Sequence, residues 1–207
     1  MLFIKIRAKD KKMKSLNKSI LLALLAILSV TGSYASKGLE TMFLEHKVVT
    51  NSQGLKIGDN APAFVVVSND LKEVTVGGTK DKIQIIAFVP SIDTDTCALE
   101  TVYFNKRVAK MNNVEINIIS KDTPFAFSRF CKANDIKNIN TLSDYKGASN
   151  ARKYGSVIVS PKFLEGFFAR TVYIVNTKGK IAYKQVIGHI EKEPNYKDIL
   201  AALKDIK

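Results

Sequence analysis

The chain of 207 residues carries two cysteines, and the first stands where sulfur chemistry is favoured. Cys97 closes the stretch FVPSIDTDTC, in which Pro90 follows an apolar run and Thr94 places a hydroxyl three residues ahead of the sulfur. Proline at a strand end removes a backbone donor and fixes φ, so the chain leaves the ladder and shapes a pocket. Threonine at that distance can cap a helix, or offer its hydroxyl to the sulfur or to an oxygen bound beside it. Cys97 then lies in a first helical turn, where unpaired N–H groups and the helix dipole stabilise a thiolate.

Cys131 follows 34 positions later. That spacing is neither a C-x-x-C dithiol nor part of a zinc site, which argues against a disulfide oxidoreductase of the usual thioredoxin kind. On spacing alone the pair reads as a structural disulfide, to which a chain-entropy treatment assigns about 3–4 kcal/mol. A chain of this size, however, can bury a core without a covalent staple. Arg170, in FFARTVYIV, is a lone guanidinium in an apolar strand. A charge there is costly unless it has a partner or a task, although an arginine at a strand edge can also snorkel to water. His46 and His189 lack metal-ligand spacing and read as surface or structural residues. The phenylalanines at 125, 127, 130, 163, 167 and 168 read as core, pocket wall or dimer interface; no haem or flavin motif is present, and neither cofactor nor metal is expected.

These side chains need a scaffold. Ile83–Val89 is a continuous apolar run rich in branched residues, as expected of a central strand buried on both faces. A helix is expected over Ala98–Lys110, a strand over Val114–Ser120, a second helix from TPFAFSRFCKAND with Pro124 in its first turn, and a short strand in INTLSD. GFFARTVYIV and KIAYKQVIG read as a hairpin turning at Thr177–Lys180 with Gly179 free for positive φ, and EPNYKDILAALKDIK as a closing helix. A further hairpin is expected around Asn51–Gly54. The order is α/β with a thioredoxin-like fold: a central mixed β-sheet flanked by helices, with an N-terminal β-hairpin. Both sulfurs are then expected at or near helix starts.

At the N-terminus, seven Lys and Arg precede the apolar run Ile20–Val30, which is followed by small residues at Ser33 and Ala35. That order is that of a secretory signal peptide cleaved after Ala35, with Met13 as an alternative start; the apolar run falls short of the roughly 20 residues needed to span a bilayer. The expected divisions are a signal at 1–35, an extension with the hairpin at 36–60, and the main domain at 61–207. The location expected is periplasmic or otherwise exported, with an uncleaved anchor or a cytoplasmic protein as the alternatives. The full chain has a formal net charge of +13 from 32 Lys+Arg and 19 Asp+Glu. Residues 1–35 hold seven of the bases and one of the acids, so the remainder carries a net of about +7. Its lysines are scattered among acids, and no nucleic-acid motif stands out.

Pro90-x-x-x-Thr94-x-x-Cys97 after an apolar strand resembles the peroxidatic site of peroxiredoxins. The strings PSIDTDTC, TPFAFSRFC, TLSDY, FFARTV and EKEPNY are similar to the bacterial thiol peroxidase subfamily, of atypical two-cysteine type, from about His46 to the C-terminus. The resemblance implies that Cys97 attacks a hydroperoxide, with a lean toward alkyl hydroperoxides, and becomes a sulfenic acid. Cys131 would resolve it to an intramolecular disulfide, which a thioredoxin-type protein would reduce. It places Pro90, Thr94 and Arg170 around the sulfur, with the guanidinium favouring the thiolate and donating to the peroxide oxygens, and it implies a homodimer. Glu100 and Tyr103 stand in the segment where that subfamily usually has a basic residue, a departure bearing on the surface around the site.

Overall fold

The computed structural model describes residues 37–147 and 151–206; the expected signal peptide lies outside them. Every residue of the strand Ile83–Phe88 is buried, as an apolar run requires when both faces of a sheet are covered. Among the described residues the strands run β1 (Glu40–Phe43), β2 (His46–Thr50), β3 (Phe64–Ser68), β4 (Glu73–Val76), β5 (Ile83–Phe88), β6 (Val114–Ser120), β7 (Asn140–Ser143), β8 (Ile158–Ser160), β9 (Thr171–Val175) and β10 (Ile181–Val186). The helices are α1 (Asp95–Tyr103), α2 (Pro124–Asn134) and α3 (Tyr196–Asp205).

The main sheet has seven strands in the order β10-β9-β5-β6-β7-β3-β4, mixed in direction as the sequence implies. β5 is parallel to β6 and antiparallel to β9, with Phe88 opposite Thr171. The register fixes the site. The C-terminal end of β5, which continues into Pro90, meets the start of β9, which Arg170 immediately precedes. Side chains alternate along β5: Ile86 and Phe88 join Phe64, Tyr154, Phe168 and Tyr173 on one face, whereas Ile85 and Ala87 join Cys97, Phe104, Val172 and Ile199 on the other. The second layer is where α1 and α3 pack. Asn195 caps α3 by accepting from Lys197 N and Asp198 N, and Tyr196 stacks on Tyr103 at 3.7 Å between ring centres.

Three expectations need correction. The N-terminal hairpin turns at Leu44–Glu45, where Phe43 pairs with His46, and not around Asn51–Gly54. The turn-like residues there serve another purpose: Asn51 N donates to Val157 O at 2.8 Å, and Asn51 Nδ2 to Arg152 O at 2.8 Å, tying the end of β2 to the chain before β8. β8 itself was not anticipated; it completes a three-stranded sheet β1-β2-β8. Finally, α1 begins at Asp95 and gives way at Phe104–Val108 to a π turn, because Asn105 is buried there with its side-chain carbonyl accepting from Lys137 N and Asn138 N. The β9–β10 turn is as expected, with Gly179 at φ 73°.

Candidate active site

Thr94 is the N-cap of α1, and its Oγ1 accepts from Cys97 N at 3.4 Å while donating to Ser91 O at 3.1 Å. Its hydroxyl therefore fixes the helix start directly, one turn before the sulfur. Cys97 is the third residue of the helix and fully buried.

Arg170 is likewise buried, 1% exposed, and each of its nitrogens has a partner. Nη2 donates to Cys97 Sγ at 3.3 Å, Nε to Ile190 O at 2.9 Å, and Nη1 to the carboxylate of Glu100. A fork held on two sides can present its third edge to the sulfur without freedom to swing away. The snorkelling alternative is thereby set aside.

The sequence sets Glu100 in the surface around the site; the structure buries it wholly within that site. It lies three residues after Cys97 on α1, so both face Arg170 from one side of the helix. Burial pushes its carboxyl up from the usual 4.5 to about 7, against the pull of the Arg170 charge and with the help of Glu193. For Arg170 burial opposes the charge, and the acids at Glu100 and Cys97 outweigh it, so its pKa rises. The signal for Glu100 was present in the sequence as an acid at helical spacing from a cysteine, with an unpartnered arginine elsewhere in the chain.

Beside these groups is a cavity of about 360 Å³ whose walls include Phe43, Pro90, Thr94, Leu164, Phe167 and Arg170. It reaches the threonine and the arginine that flank the sulfur, and is predominantly apolar elsewhere. Of the six phenylalanines noted, Phe167 lines this cavity, Phe127 and Phe168 are core, Phe130 is half-buried, and Phe125 and Phe163 are exposed. His46 sits edge-on to Phe163, and His189 faces Glu191.

Cys131 is a correction. It is the eighth residue of α2, toward the helix C-terminus and not its start, because Thr123 caps the helix and Pro124 begins it. Its carbonyl accepts from Ile136 N at 3.0 Å, and its sulfur is 3.2 Å from Thr141 Oγ1 on β7. Both cysteines are buried and free, each sulfur facing a different partner. The structure thus brings Pro90, Thr94, Cys97 and Arg170 together and leaves Cys131 engaged elsewhere.

The sequence profile of the redoxin family matches residues 56–200. A thiol peroxidase of Aquifex aeolicus is 43% identical over 152 residues, covering 73% of this chain and 89% of that protein. One of Bacillus subtilis is 36% identical over 165 residues, covering 80% and 96%. Among solved structures, a peroxiredoxin-like protein from Aquifex aeolicus superposes with a TM-score of 0.78 at 38% identity, covering 83% of this chain and 99% of that one. The thiol peroxidase from Chromobacterium violaceum, at 18% identity and a TM-score of 0.70, shares the fold.

Proposed function

Because this chain belongs to the redoxin family, as a thiol-dependent peroxidase, we propose that its attacking atom is the sulfur of Cys97. The thiolate attacks the terminal oxygen of a hydroperoxide, the S–O bond forms as the O–O bond breaks, and the departing oxygen takes a proton to leave as water or an alcohol. Arg170 donates to the oxygens while negative charge moves onto the leaving one, and Thr94 and Pro90 hold the helix start and the cavity wall. The thiol of Cys131 then attacks the sulfenic sulfur; the S–S bond forms, the S–O bond breaks, and water leaves. A thioredoxin-type dithiol returns both thiols by exchange and is itself oxidised.

The observation that carries this reading is the guanidinium 3.3 Å from a sulfur at a helix N-terminus, anchored on its other edges by Glu100 and a backbone carbonyl. The apolar cavity suits organic hydroperoxides as well as hydrogen peroxide. A non-catalytic protein with a structural disulfide has less support, since both thiols are free and Cys97 faces a buried cation. By family likeness the protein works as a homodimer, and by its N-terminal sequence it is exported.

The test is peroxide consumption with a thioredoxin system. Wild type turns over, Cys97→Ser is inactive, and Cys131→Ser completes one oxidation and stalls without that bond. Activity surviving in Cys97→Ser removes the sulfur from its role.

A further inference from the structure

Asp122 lies in the loop between β6 and α2 and is not among the residues that line the cavity, yet it is bonded to the active-site loop. Its Oδ1 accepts from Ser91 Oγ at 2.8 Å and its Oδ2 from Ile92 N at 2.6 Å, both some thirty residues earlier in the chain. Oδ2 also accepts from Ser120 Oγ at 2.6 Å, which in turn accepts from Asp122 N at 3.1 Å, so the carboxylate is fixed from its own strand end. Carboxylates gathering several donors in this way form the stronger class of hydrogen bond.

The contact leads onward in two directions. Ser91 O accepts from Thr94 N at 3.1 Å and from Thr94 Oγ1 at 3.1 Å, and that same hydroxyl caps the helix at Cys97 N. On the other side, Thr123 follows immediately and caps α2, accepting from Ala126 N at 3.3 Å; this is the helix that carries Cys131. One carboxylate therefore adjoins the caps of both cysteine-bearing helices. A turn that only ended β6 would satisfy its own backbone, whereas two of these bonds cross to the loop at Ser91 and Ile92.

We propose that Asp122 is a positioning residue that clamps the Ser91–Thr94 loop in the form that attacks peroxide, and whose release is part of the opening that lets Cys97 meet Cys131. This rests on the mechanism above, in which the sulfenic sulfur leaves Arg170 to condense with the second thiol and water departs. Attack needs the closed loop, with Arg170 at the sulfur. Resolution proceeds through the open loop, a minor state whose population the clamp holds down. Weakening the clamp should therefore move the two steps in opposite directions, which general destabilisation would not do.

The experiment uses the full chain as wild type, Asp122→Asn, Ser91→Ala and Asp122→Ala. The chain has no tryptophan, so rapid quench with thiol blocking and intact mass is suitable for following sulfenic acid and disulfide separately. Asp122→Asn weakens the bonds without emptying the space, Ser91→Ala removes the bond to Oδ1, together with the one Ser91 Oγ accepts from Asp93 N, and leaves the carboxylate, and Asp122→Ala removes every bond the carboxylate accepts. We expect peroxide attack to slow severalfold and disulfide formation to quicken about tenfold in the two mild variants, more in Asp122→Ala, given what a charge-assisted hydrogen bond contributes. Overoxidation to sulfinic acid at high peroxide should fall in step, because resolution outruns a second attack. Parallel slowing of both steps, or no change in either, overturns the clamp. A wild-type chain that never joins Cys97 to Cys131 sinks the mechanism itself, and the clamp with it, whatever the variants do.

Discussion

Arg170 has three neighbours competing for one positive charge: the Cys97 sulfur, the Glu100 carboxylate and the Ile190 carbonyl. Lysine at this position would keep the charge but could not fork to all three, so Arg170→Lys should lower the rate of sulfur oxidation about 100-fold, as loss of an oriented donor at a developing charge does elsewhere. Single-turnover thiol loss measures it; a rate near wild type would show that charge without geometry suffices. Glu100 carries a pH prediction. With its carboxyl raised from 4.5 to about 7 by burial, the folded chain between those pH values holds a proton that the unfolded chain has released. That contribution to stability is complete below the unfolded value and disappears as pH rises through the folded one. The unfolding free energy of wild type, from urea titrations, should therefore fall relative to that of Glu100→Gln between about pH 4.5 and 7, by on the order of 1–3 kcal/mol, and run parallel above that range. A difference that stays flat would mean that Glu100 is ionised throughout.

At the scale of elements, the strand Val114–Ser120 has the bounds read from the sequence, and α2 starts where Pro124 said it would, since both signals are local. Other features depended on partners distant in sequence. The polar Asn51–Gly54 segment has turn chemistry, but the donors of Asn51 go to residues a hundred positions later, and β8 is three residues whose pairing exists only because β2 runs alongside it. The sequence sets Cys131 near a helix start, whereas its own helix begins seven residues before it. Arg170 and Cys97 were legible as chemistry, whereas Glu100 showed only as an acid at helical spacing from the cysteine, its burial against Arg170 being set by tertiary packing. The short α1 is nine residues long, with a threonine cap and a π turn at its far end, below the length at which helices hold without tertiary support. Disulfide formation should unwind it. Amides of Cys97–Thr101 and of the last turn of α2 should lose hydrogen-exchange protection in the oxidised form while those of β5 and β6 keep theirs; equal protection in both redox forms would rule out local opening.

Over the whole molecule, the match to the Aquifex structure uses nearly all of that chain and leaves 17% of this one unmatched. The sequence reads residues 1–35 as a basic and apolar leader. If the leader is removed, the net charge falls from +13 to about +7 and the enzyme works outside the compartment where it is made. There the cysteine pair would meet a more oxidising setting, in which a structural bond would stay closed and a catalytic one would have to be reopened by a dithiol protein sharing the location. Both points converge on a single measurement: intact mass of the protein from its native host, with thiols blocked on lysis, before and after a brief peroxide pulse. The expected species begins at Ser36, carries two blocking groups before the pulse, and carries none after it as Cys97 joins Cys131. A mass that retains residues 1–35 would place the enzyme with its leader attached, and a pair that takes no block under either condition would make the bond a permanent staple instead of an intermediate.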